Sequence, residues 1–389
     1  MKILLLTDGM YPFQLGGMQK HSIILARLLA DHGIYVHLVH CGGEGYSEQQ
    51  FKTLFTKAQQ AYITETVIAF PKMDPFPGHY LRENKRYSNH IYDQIAVDQK
   101  GNENPYDLVY AQGFTGWEFI KERKAGNWNV PVVVNFHGFE MFQKPPSLTV
   151  KAAFALLKGT VRTMIREADY VYSFGGQIHS ILQEEGVSEE RLMLQSNGID
   201  HSWLVSDIKH VGEVRNFVFI GRYERRKGIE ELNQALELLI SADTPFRMKF
   251  IGPIPENKRI VDERITYAGE VRDEAKMKQY LREVDCLICP SHSEGMPTVI
   301  LEGMASGLAI IATDVGAVSR QVSGNGILLP ELDVILIKEA IQSICRLPAS
   351  KVEKMQEESL RLIREQFLWQ KVIESKIADF EWMTQAKHV

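Results

Sequence analysis

Short apolar runs alternate with helical periodicity along this whole chain of 389 residues, and that alternation narrows its possible folds more than any other feature. Ile3–Thr7 reads as a strand. Met18–His32 places Ile23, Ile24, Leu25, Leu28 and Leu29 at helical spacing and ends at Gly33, a C-cap glycine. Tyr35–His40, Leu108–Ala111, Val132–Phe136 and Tyr170–Ser173 are the next strands. The pattern then restarts. Asn216–Ile220 is a strand, a charged turn follows, and Ile229–Ile240 is a helix. Met248–Ile251, Ile265–Ala268, Cys286–Cys289 and Ala309–Ala312 complete the second series. Strands separated by helices imply parallel sheets covered on both faces. Two such series predict two doubly wound α/β domains, with a boundary around Leu204–Val214. Their C-terminal strand ends are expected to face a shared cleft, where open sheets of this kind hold ligands.

Composition excludes several classes. The chain is 44% hydrophobic and 24% charged, with a formal charge of −5, so it carries no basic excess for nucleic acid. Its four cysteines do not make a disulfide framework. Cys286 and Cys289 fall in one apolar strand, where residues three apart point to opposite faces, and are expected in the core. The apolar N-terminus is too short for a signal peptide, and no run approaches the roughly 18 apolar residues of a membrane helix. The expectation is a cytoplasmic protein.

Three turns carry chemistry. Gly16-Gly17, after the first strand, lets backbone N–H groups approach an anion at a helix start, although a tight turn alone can also require such glycines. Gly221-Arg222-Tyr-Glu-Arg-Arg-Lys227-Gly228 follows the strand that opens the second series. Arg222 and Lys227 could converge on a diphosphate, or simply form a solvated charged turn. In Ser291-His-Ser-Glu294-Gly295-Met296-Pro297-Thr298-Val-Ile-Leu-Glu302, Pro297 suits the first helical position and places Glu302 about one turn inside the helix. Two carboxylates would then face one ligand, each able to accept from sugar hydroxyls.

Glu294-x7-Glu302, Gly221-Arg222-x4-Lys227-Gly228 and Gly16-Gly17, in this order with His137-Gly138, Asn197-Gly198-Ile199-Asp200 and Gly269-Glu270-Val271, resemble the retaining glycosyltransferase family 4. That resemblance spans nearly the whole chain. It implies the GT-B fold, two Rossmann-like domains facing across a cleft: residues 1–205 on the acceptor side, 206–368 on the donor side, and 369–389 a helix returning to the first domain.

The activity implied is metal-independent transfer of a sugar from a nucleotide-diphosphate donor, UDP-sugar favoured over GDP-sugar, to a glycan or lipid-linked acceptor. A same-fold synthase or phosphorylase, or a binding module without turnover, is the alternative. By the same resemblance Arg222 and Lys227 hold the diphosphate and Glu302 the ribose. Glu294 meets the donor sugar, with the Gly295, Met296, Pro297 and Thr298 backbone beside it. Val271 lies at the base, Gly16 and Gly17 close over the donor, and His137 approaches the reacting centre. A strand-end histidine before glycine is otherwise usually structural.

No Asp-x-Asp occurs, so no metal and no cofactor are expected. Gln19, Gln112 and Pro297 depart from the family pattern and bear on sugar specificity. Lys151, Lys158, Arg162 and Arg166 on one helical face, with Arg82, Lys85 and Arg86 nearby, also suggest a peripheral contact with an anionic membrane. An ordinary helix with a solvated basic face reads equally from these residues.

Overall fold

The computed structural model describes residues 1–385 apart from 15, 75, 77, 98–104 and 146; the end of the segment 369–389 lies outside the described residues. Among the described residues thirteen strands form two sheets. In the first, β1 (Lys2–Leu6), β2 (Tyr35–His40), β3 (Ile63–Val67), β4 (Leu108–Gln112), β5 (Val132–Asn135), β6 (Tyr170–Ser173) and β7 (Leu192–Leu194) pair in the order β3-β2-β1-β4-β5-β6-β7. In the second, β8 (Arg215–Ile220), β9 (Phe246–Ile251), β10 (Ile265–Tyr267), β11 (Cys286–Cys289), β12 (Ala309–Thr313) and β13 (Gly326–Leu329) pair as β10-β9-β8-β11-β12-β13. Neighbouring strands run parallel throughout. The two doubly wound α/β sheets make the GT-B architecture.

Each sheet is covered on both faces, so its central strands are apolar on both. All residues of β12 are buried, and those of β4 likewise. Cys286 packs on one face with Phe217 and Leu239, and Cys289 on the other with Met296 and Ile300. Burial pushes both thiols up, which suits inert core residues. The helix Gly17–Asp31 buries Ile23, Leu25, Ala26 and Leu29 against β1 and β2. Gly33 ends it in the left-handed region, φ 72°, with its N–H donating to Ala30 and that of Ile34 to Leu29, satisfying the last carbonyls.

The chain passes between the sheets twice. After β7 it runs through Gln195–Asp200, and it returns at Phe367–Trp369. The Ile199 N–H donates to the Phe367 carbonyl at 2.8 Å, and the Trp369 N–H donates back to the Ile199 carbonyl at 3.1 Å. Gly198 has no side chain because a Cβ there would lie 2.4 Å from the Trp369 ring. The final helix, Trp369–Gln385, then lies on the first sheet, with Ile373, Phe380 and Met383 in the cluster of Ile3, Leu5, Tyr110 and Tyr172.

In each sheet the strand order reverses beside the first strand of its series, between β1 and β4 and between β8 and β11. Connections leave in opposite directions there and open a crevice at the C-terminal strand ends. Gly16 and Gly17 follow β1, His137 follows β5, Lys227 follows β8 and Glu294 follows β11. The topology alone therefore directs these segments to one place.

Candidate active site

A cavity of about 590 Å³ lies between the two sheets. Of the residues singled out in the sequence, its wall contains Gly17, His137, Lys227, Glu294, Gly295, Met296, Pro297, Thr298 and Glu302. Gly16, Val271 and Arg222 are not in that wall. Gly16 adjoins it as the extended residue before the helix, and Val271 packs on the core of the second sheet. Arg222 turns away: its guanidinium pairs with Glu224 at 2.8 Å and its side chain is 73% exposed. Glu224, two residues on, holds it there.

Arg226, from the same turn, lines the cavity. The turn Arg225–Lys227 is a short 3-10 helix closed by Gly228, whose φ is 64° and whose missing Cβ would fall 1.7 Å from the Pro290 carbonyl oxygen. That close approach brings the turn against the segment following β11. Lys227 Nζ donates to Glu294 Oε1 at 2.7 Å, Arg226 to Glu294 Oε2 at 3.1 Å, and the Ser291 hydroxyl to Glu294 Oε1 at 2.7 Å. Burial opposes ionisation of Glu294, but Lys227 and Arg226 outweigh it and hold the carboxyl below its ordinary range. Nothing in motif spacing distinguishes Arg226 from Arg222; only the tight turn at Gly228 does.

The helix Thr298–Ala305 begins at the cavity, with Pro297 as its N-cap rather than its first helical residue. Its exposed N–H groups favour an anion. Glu302, on the same helix, has its carboxyl pushed up to about 7 by burial, with Lys20 opposing the rise and Glu274 adding to it.

Across the cavity, two histidines pack edge to face, His21 and His137, with ring centroids 4.8 Å apart. Burial pushes the His137 imidazole down to about 3, assisted by Lys376, and burial holds His21 well below its ordinary value too. His137 Nε2 lies against both the Gln112 amide oxygen and the Asn135 amide nitrogen. His137 and Phe139 both lie in the left-handed region, φ 58° and 95°. Non-glycine residues there cost about 1–3 kcal/mol each, a strain that folded proteins keep chiefly at functional loops. The His137 carbonyl also abuts Gly295: a Cβ on Gly295 would fall 1.8 Å from that oxygen. The two halves touch at this point with no side chain between them.

His21, Lys20, Glu140, Glu274 and Trp369 also line the cavity and were not singled out in the sequence. His21 lies one turn beyond Gly17, so helical spacing from the glycines is the signal that finds it. Trp369 arrives from the returning chain, and no local pattern announces it.

Residues 15–203 match the family model described as Glycosyltransferase Family 4, and residues 214–346 match the one described as Glycosyl transferases group 1. A protein named as a teichuronic acid biosynthesis glycosyltransferase, TuaC of Bacillus subtilis (strain 168), is 39% identical over 102 residues, 26% of this chain and 25% of that protein. A D-inositol 3-phosphate glycosyltransferase of Jonesia denitrificans is 24% identical over 357 residues, covering 81% of this chain and 80% of its own. The crystal structure of Anabaena HepE in complex with UDP and glucose superposes with a TM-score of 0.65 at 18% identity, over 98% of this chain and 99% of that one.

The Glu302 carboxyl binds its proton more tightly folded than unfolded. It therefore contributes stability at low pH that is lost as pH rises from its unfolded value, about 4.3, through its folded value. Glu302→Gln, which cannot ionise, is expected to gain stability relative to wild type between about pH 5 and pH 8. Urea unfolding across that range checks it; a difference independent of pH contradicts the burial of this carboxyl.

Proposed function

This chain belongs to glycosyltransferase family 4, and on that premise we propose that it moves a sugar from a UDP-sugar to a hydroxyl of a glycan or lipid-linked acceptor in polysaccharide or glycoconjugate synthesis. The reading extends to retention of anomeric configuration and to independence from metal ions.

The observation that carries it is the pair of fixed cations, Lys227 and Arg226, beside a helix start in a cavity walled by both domains. Breaking the bond between sugar and diphosphate develops negative charge on the diphosphate and positive charge on the sugar ring. Lys227, Arg226 and the N–H groups at Thr298 are preorganised for the first, and such donors act most strongly where water is excluded. Glu294 is the carboxylate nearest those cations and would accept from a sugar hydroxyl. Glu302, deeper along the helix, suits the ribose. Arg222 would join only by leaving Glu224. His137, kept neutral by burial and lining the cavity, suits a hydroxyl of the sugar or acceptor. Attack on the face that the diphosphate leaves, with a phosphate oxygen taking the acceptor's proton, gives retention without a covalent nucleophile. UDP is favoured over GDP by the bound nucleotide of the HepE structure.

The acceptor side supplies a second element. Among the described residues no helix is long and apolar enough to cross a membrane. The basic face foreseen on Leu148–Glu167 is partly consumed inside the protein: Arg162 pairs with Glu185, and Arg166 donates to the Glu185 carbonyl. What stands free is the first half of the helix, with Leu148 84% and Leu156 56% exposed beside Lys151. This supports a peripheral contact led by apolar side chains rather than by charge.

Two measurements test these readings. In thermal unfolding with EDTA present, a UDP-sugar at about 100 times its dissociation constant should add about 2.7 kcal/mol, and Lys227→Ala should lose that gain. A panel of UDP-, GDP- and ADP-sugars with no shift contradicts the donor assignment, while products formed on water or phosphate alone favour a hydrolase or phosphorylase. For the membrane, Leu148→Ser with Leu156→Ser should abolish co-sedimentation with phosphatidylglycerol vesicles. Equal pelleting of variant and wild type, or none by either, removes that contact.

A further inference from the structure

Gln143 ends the segment that begins at His137. The strained loop His137–Phe139 leads into a short 3-10 turn, Glu140–Phe142, and delivers Gln143, 9% exposed, to the seam between the two domains. Its side-chain amide meets the main chain of Glu294 in both directions. Nε2 donates to the Glu294 carbonyl at 2.7 Å, and the Glu294 N–H donates to Oε1 at 3.2 Å. A glutamine amide carries the same donor and acceptor as a peptide group, so this pairing imitates two strands of a sheet using one side chain. The seam is also crossed by Arg320, which donates to the Phe174 and Gln195 carbonyls, by Gln177, which donates to the Asp314 carbonyl, and by the exposed pair Lys144–Glu331, but none of these touches the Glu294 peptide.

We infer that Gln143 is a positioning residue, which holds the peptide of Glu294 in register with the loop of His137 and so sets the carboxylate of one domain against the reacting centre shared with the other. The inference rests on the proposed role of Glu294 toward the donor sugar. The Glu294 side chain is held from its own domain by Lys227, Arg226 and Ser291. Its backbone is held from the opposite domain by Gln143. The carboxylate therefore has a fixed place relative to His137 only while the domains are closed. Gln143 lies outside the cavity wall, so nucleotide binding does not need it. Transfer does, because displacement of a reacting constellation by about 1 Å can cost on the order of 100-fold in rate.

The test uses the full chain with Gln143→Ala and Gln143→Asn, the second one methylene too short to span the seam. In the protein without substrate, hydrogen exchange of the Glu294 amide should quicken by about tenfold or more in both variants, while the thermal midpoint stays at the wild-type value. Under turnover, kcat should fall by about 100-fold with UDP affinity within about twofold of wild type. Wild-type exchange at Glu294, or wild-type kcat in Gln143→Ala, overturns the inference. A wild-type protein that transfers from no donor removes the functional reading instead, and the exchange result still decides whether Gln143 holds the seam.

Discussion

A buried carboxylate and two cations at the end of one sheet organise this molecule. Taking the Glu294 carboxylate out of water costs several kcal/mol, and close pairing with added hydrogen bonds offsets that. Lys227, Arg226 and the Ser291 hydroxyl supply them to the carboxylate, and the Gln143 amide satisfies the backbone of the same residue. The group exists because β8 and β11 flank the point where strand order reverses, so the segments following them must meet. The other domain packs against it, with the His137 carbonyl seated where Gly295 has no side chain. Within the cluster the carboxylate and the cations neutralise one another.

The opposite wall is built differently. There burial holds two imidazoles well below their ordinary range, and Lys376, from the helix that crosses back from the second domain, adds to that effect. Lys376 is itself buried, donates to the Gln195 amide oxygen at 2.6 Å and sits 3.9 Å from the centre of the Tyr172 ring. Gln195 begins the first passage between the domains and Trp369 ends the second. The same few residues therefore tie the crossing helix, the hinge and the histidine wall together, so the relative placement of the domains and the electrostatics of His137 are not independent.

Sequence patterns read well wherever a local rule sufficed. Central strands such as β11 and β12 stand out because both faces are buried and the run is apolar. The edge strands β3 and β7 escape notice because Ile63–Val67 alternates with polar residues and Leu192–Leu194 is only three residues long. At the site, motif order located Lys227, Glu294 and Glu302, since each follows a strand at a crevice. Motif order does not show that Arg226 lines the cavity while Arg222 pairs with Glu224, because that depends on how tightly Gly228 turns against Pro290. Gln143 and Trp369 were invisible for a related reason: their partners lie 151 residues away in Glu294 and across the hinge in Gly198. The basic helix face was legible as a pattern but not in its pairing, since Glu185 lies on another element.

The central claim, that Arg226 and Lys227 are the cations offered to a diphosphate, is tested most directly by calorimetric titration of UDP, without any sugar, into wild type and Arg226→Ala. Loss of that contact should weaken UDP binding by at least about tenfold, about 1.4 kcal/mol. Equal or tighter binding by Arg226→Ala would contradict the account.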